Sequence, residues 1–78
     1  MTSATTDVLD LIVSTYRETL RRDELGPYSD FYEAGGDSMV AFQIVTRLTT
    51  ALDVEVPIAL VFACPTPADL ATAVGDLD

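Results

Sequence analysis

The chain has 78 residues, 49% of them apolar, with four Lys+Arg against thirteen Asp+Glu, a formal charge of −9 and no histidine. A chain this short holds one core and no separate catalytic domain, because a fold of this size still leaves about 35–40% of its unfolded surface in water. The charge excludes a phosphate-tracking nucleic-acid surface and disfavours anionic membranes, no apolar stretch reaches the roughly 20 residues of a spanning helix, and without histidine neither Ser-His pairs nor the usual zinc sets can be assembled.

The opening "MTSATTDVLD" has no signal-peptide pattern, so a cytoplasmic protein is expected, with residues 1–6 as a flexible N-terminus and 7–78 as the folded domain. From Thr6 to about Arg22, Val8, Leu9, Ile12, Val13, Tyr16 and Leu20 fall at helical spacing and predict a first helix with one buried stripe. Asp7 and Asp10 near its start and Arg17, Arg21 and Arg22 at its end suit the helix dipole and read as end charges.

"DELGPYSDFYEAGGD" follows without sustained periodicity, Gly26-Pro27 being expected to stop the helix. A loop of this length tends to be functional or disordered. Leu25, Tyr28, Phe31 and Tyr32 predict that it is packed down at several points.

A second helix is predicted from about Ser38 to Leu52, with Ala41, Ile44, Val45, Leu48 and Leu52 as its core face and Met39 and Thr46 opposite. Phe42 stands at the boundary and is read as exposed, folding inward over a neighbouring helix being the alternative. "IALVFA", closed by Pro65, is short enough to be a strand or a helical turn, and a short third helix is the favoured reading. Thr66 as N-cap, Pro67 at the first helical position and Asp69 in a capping-box-like place open a fourth, with Leu70, Ala73, Val74 and Leu77 on one face. The fold class is therefore all-α, a four-helix bundle of three longer helices and one short third helix. Cys64 is the only cysteine and reads as a packed or loop residue.

"EAGGDSMVAF", residues 33–42, sets two glycines and an aspartate before a serine where the second helix begins. A nucleotide loop would need a lysine that is absent, a calcium loop would place Tyr32, Ala34 and Ala41 at ligand positions, and a hydrolase elbow would need a glycine after the serine and a histidine. Two readings stay open. Asp37 or Ser38 simply caps the helix, or Gly35 and Gly36 clear side chains from a hydroxyl that another enzyme must reach, with the helix's positive end ready for a phosphodiester.

"DFYEAGGDSM", the "AFQIVTRL" helix and "VPIALVFACPTPADLA" together resemble the peptidyl carrier proteins, the thiolation domains of nonribosomal peptide synthetases within the acyl-carrier family, over about Val8 to Leu77. The resemblance implies that Ser38, flanked by Gly35, Gly36 and Asp37, carries 4′-phosphopantetheine taken from coenzyme A by a phosphopantetheinyl transferase. It implies a non-catalytic monomeric carrier, loaded by an adenylation or other loading enzyme and serving downstream condensation, tailoring or transferase enzymes, with no metal. It also implies Phe31, Phe62 and Leu70 as core anchors. Met39, Phe42, Gln43, Thr46 and Leu60 are expected to form the partner surface. Ala34, Met39, Ala59 and Ala63 depart from the residues usual in the family and bear on partner choice. A start at Met1 and an end just past the fourth helix fit a free-standing carrier, and an excised synthetase domain equally. The rival expectations are an acyl carrier of polyketide or fatty-acid synthesis and an unmodified acidic interaction module.

Overall fold

The computed structural model describes residues 4–77. Four helices follow in order: α1 (Ala4–Leu20), α2 (Ser38–Leu52), α3 (Ile58–Ala63) and α4 (Pro67–Gly75). α1 packs on α2 and α4, and α3 bridges α2 and α4. This is the expected all-α architecture. Of the N-terminus expected to be flexible over 1–6, residues 1–3 lie outside the described residues, and Ala4 already opens α1.

α1 buries Ile12, Val13 and Tyr16 along the predicted stripe. Thr15 is buried beside them, which costs little because its Oγ1 donates to the Leu11 carbonyl at 2.7 Å. The helix stops at Leu20, not near Arg22. Arg21 adopts the left-handed conformation, φ 58°, and the Arg22 N–H reaches back to the Arg17 carbonyl at 3.1 Å, the bonding of a Schellman stop. Gly26-Pro27 therefore lies well beyond the actual end. Arg17 donates to the Leu25 carbonyl at 2.7 Å, Arg22 pairs with Glu24, and Arg47 on α2 pairs with Glu18 on α1, both pairs at 2.7 Å. Exposed pairs of this kind contribute about 0–1 kcal/mol each.

The long segment from 21 to 37 is held by Leu25, Phe31 and Ala34, all buried. Tyr28 was expected to join them and does not, standing 83% exposed. Phe31 is the anchor. Its N–H donates to the Pro65 carbonyl at 3.0 Å, and the Tyr16 hydroxyl donates to the same oxygen at 3.0 Å. One carbonyl thus joins α1, the long loop and the α3–α4 joint. Burial pushes the Tyr16 phenol well above its ordinary pKa, and the nearby Asp30 charge adds to the effect.

In α2, Ala41, Ile44 and Leu48 are fully buried, with Val45 and Leu52 half-buried along the same face. α3 turns Val61 inward, and Cys64 closes it as a half-buried free thiol whose N–H donates to the Leu60 carbonyl at 2.8 Å. Phe62, expected as a core anchor, is 37% exposed, because Val61 takes the inward position and the next residue on a helix is turned by about 100°. Thr66 caps α4 as predicted, accepting from the Asp69 N–H at 3.2 Å, with Pro67 behind it. The buried face of α4 is Leu70, Ala71 and Val74; Ala73 is only half-buried, and Leu77 lies past the helix end and is exposed.

Candidate functional site

The approach to Ser38 is built by a short turn, not by loose glycines. Asp30 Oδ1 accepts from the Tyr32 and Glu33 N–H groups at 2.7 and 3.1 Å and so starts one helical turn. Gly35 stops it in the left-handed region at φ 95°, its N–H donating to the Tyr32 carbonyl at 3.2 Å while the Gly36 N–H donates to the Phe31 carbonyl at 2.9 Å. Those two bonds and the left-handed residue define a Schellman motif, where glycine avoids the Cβ clash. Gly36 is required for a different reason: a Cβ there would lie 2.5 Å from carbons of the buried Phe31 ring. Both glycines are thus set by backbone geometry and packing. Of the two readings left open by the sequence, the entry turn is the one this geometry describes, with both glycines shaping it.

Asp37 is the N-cap of α2. Its backbone is extended and its Oδ1 accepts from the Val40 N–H at 3.0 Å. Ser38 is consequently the first residue of the helix, exposed, and free of the capping task. The arrangement suits a phosphodiester on Ser38 Oγ, since unpaired backbone N–H groups and the positive end of the helix dipole collect at this position. Within α2 itself there is no acidic residue, so the Asp37 cap is the carboxylate that shares this terminus.

Beside Ser38, Met39 and Phe42 are 71% and 64% exposed, and Gln43 and Thr46 are exposed on the same helix. The inward alternative for Phe42 is excluded. Thr46 turns its hydroxyl back to the Phe42 carbonyl at 2.8 Å. Leu60 is half-buried and packs on the core, whereas α3 exposes Ile58 and Phe62. Sequence reasoning missed Ile58, and its position directly after Pro57 at the start of a six-residue helix was the available signal. An open cleft lined by Arg22, Glu24, Leu25, Ser29, Asp30, Glu33 and Ala34 shares no residue with this surface. Among the described residues no group of His, Cys, Asp and Glu could hold a metal, and no helix is long and apolar enough to cross a membrane.

A four-helix bundle that leads an exposed serine into its second helix through a capped, glycine-closed turn has the architecture of a small carrier domain. Residues 10–74 match the family model for the phosphopantetheine attachment site, and the chain belongs to that family. A linear gramicidin synthase from Brevibacillus parabrevis contains a stretch 32% identical over 68 residues, which are 87% of this chain and 1% of that protein. The chain thus spans only a hundredth of that relative's length. Among solved structures, the type-II acyl carrier protein BlmI of Streptomyces verticillus, involved in bleomycin biosynthesis, superposes with a TM-score of 0.88 at 30% identity, covering 92% of this chain and 87% of that one. The peptidyl carrier protein solved with the phosphopantetheine transferase Sfp and coenzyme A gives a TM-score of 0.83 at 25% identity, covering 97% and 95%. The protein is a carrier of the thiolation type found in nonribosomal peptide synthetases, and 4′-phosphopantetheine is its cofactor.

Proposed function

We propose that Ser38 is the attachment point, and that the chain carries an aminoacyl or acyl group between separate enzymes without catalysing a reaction itself. The observation that supports this is the division of labour at the head of α2, where Asp37 caps the helix and Ser38 presents an exposed hydroxyl that the fold does not use. The serine proton passes to a general base on the transferase. As Ser38 Oγ bonds to the β-phosphorus of coenzyme A, the bond from that phosphorus to the departing adenosine 3′,5′-bisphosphate breaks. When bound, the arm supplies a thiol that holds cargo as a thioester and raises its effective concentration at each docked enzyme.

The expected partners are a phosphopantetheinyl transferase, an adenylation or other loading enzyme, and a downstream condensation, tailoring or transferase enzyme. Met39, Phe42, Gln43 and Thr46 of α2 are the surface they grip, extended by Ile58 of α3, with Leu60 contributing only its exposed edge. Apolar anchors ringed by polar groups concentrate docking energy. The chain acts as a monomer in the cytoplasm.

Incubation with coenzyme A and a broad-specificity transferase, read by intact mass, should show one phosphopantetheine addition, which peptide fragmentation places on Ser38. Ser38→Ala should abolish it and leave helicity unchanged, because the cap is Asp37. Addition persisting in that variant would refute the assignment.

A further inference from the structure

Three aromatic rings lie at the base of the segment that leads to Ser38. Phe31 is fully buried, and it meets Tyr32 edge-on at 5.5 Å and 79° and Phe62 edge-on at 6.3 Å and 78°. The Tyr32 hydroxyl donates to the Phe62 carbonyl at 2.9 Å, so the long loop and α3 are joined by a hydrogen bond as well as by the shared ring. Gly36, two residues before Ser38, lies against the same ring, with no space for a Cβ. Tyr32 is nevertheless 51% exposed, and Phe62 is one of the exposed large apolar residues. The result is a braced, partly exposed aromatic surface whose central ring packs against Gly36, two residues before Ser38.

Resting on Ser38 as the attachment point, we propose that Tyr32 and Phe62 form a seat on which the pantetheine arm lies between partner encounters. The chemistry matches. The arm carries a gem-dimethyl group, which packs against ring faces, and amide N–H groups, which the free lone pair of Tyr32 Oη accepts while its proton remains with the Phe62 carbonyl. Rigidity matters as much as polarity, because a tethered flexible chain gains only from a surface that does not itself have to be ordered. Met39 and Phe42 lack that brace: among the described residues the ring contacts are those of Tyr16, Phe31, Tyr32 and Phe62, and Phe42 is in none of them. The α2 face therefore stays open to enzymes while the arm occupies the seat.

The test uses the full chain loaded from coenzyme A carrying carbon-13 in the gem-dimethyl groups. Intact mass and fragmentation first establish the site of addition; addition elsewhere would overturn the Ser38 assignment and the seat with it. With the arm on Ser38, the seat requires nuclear Overhauser contacts from the dimethyl protons to the Tyr32 and Phe62 rings, and methyl lines broadened toward those of the domain. Tyr32→Ala should lose the Phe62 contacts and sharpen the methyl lines, whereas Tyr32→Phe should keep ring contacts. Sharp methyl lines without contacts in the parent protein, or contacts to Met39 and Phe42 instead, would overturn the seat while leaving the attachment intact. Where Tyr32→Ala fails to fold, the parent spectrum decides.

Discussion

Two adjoining regions use charge in opposite ways. Residues 23–37 hold Asp23, Glu24, Asp30, Glu33 and Asp37 and no base, while α2 and α3 together hold one charge, Arg47, which is paired with Glu18. In the acidic stretch two carboxylates have structural tasks, Asp30 opening a turn and Asp37 capping α2. In the second stretch the exposed residues other than Arg47 are apolar or uncharged, so a partner docking on α2 would desolvate no carboxylate of that helix. A chain of charge −9 can thus offer a surface whose attraction is largely apolar.

The largest effect should come where the two regions meet. Gly36→Ala drives a methyl into the Phe31 ring, and overpacking of that kind costs about 1–3 kcal/mol. Chemical denaturation should show the loss, and the rate of phosphopantetheine addition should fall because the turn before Ser38 must shift. An unchanged midpoint would mean that the Phe31 ring yields freely.

Next comes the reach of the acidic loop into the core. Tyr16 stays protonated in the fold, through burial first and the Asp30 charge second, while in the unfolded chain it ionises near pH 10. Its contribution to stability is present below that pH and is lost as pH rises above it. Tyr16→Phe should cost about 0.5–1.5 kcal/mol at neutral pH and flatten the alkaline fall, as measured by denaturation at several pH values; Phe31 N–H keeps the Pro65 carbonyl satisfied. A variant with the same alkaline slope as the parent would place the titrating group elsewhere.

The neutral face is tested by Phe42→Ala, which should stay within about 1 kcal/mol of the parent in stability yet impair loading by the natural partner. Raising salt well above physiological strength, where exposed charges are screened within about 3–8 Å, should alter loading by less than about twofold. A steep salt dependence would show that the acidic loop, not α2, dominates docking. The smallest change is a gain: Arg21→Gly relieves a left-handed non-glycine residue at the α1 stop and should add about 1 kcal/mol, read from the melting temperature.

α1, α2 and α4 were legible from their own periodicity and, for α4, its own cap, whereas six-residue α3 is too short for periodicity to separate a helix from a strand. Less legible were features settled by neighbours. Tyr28 and Phe31 are both aromatic residues of one loop, and only the tertiary bond from Phe31 N–H to Pro65 decides which goes inside. Phe62 and Val61 compete for one inward position, and residue size alone favours the wrong one. Ala71 takes the place expected of Ala73 because the direction from which α1 meets α4 is not written in the α4 sequence. The turn before Ser38 could have been read: Asp30 starts it and Gly35 stops it at the spacing of one capped turn. Its second glycine could not, since that requirement comes from the packed position of the Phe31 ring.

The contact between Gly36 and the Phe31 ring also makes the Ser38 segment a poor module to move by itself. A protein engineer who grafts residues 35–42 onto another helical scaffold transfers the serine and its cap but leaves behind the ring that fixes the approach. A graft that keeps this approach begins at Asp30 and needs a host carbonyl for the Phe31 N–H, the role that Pro65 fills here. Conversely, a variant library that varies positions 31 and 36 together, exchanging ring size against a side chain, can explore new turn geometries before Ser38 that single substitutions cannot reach.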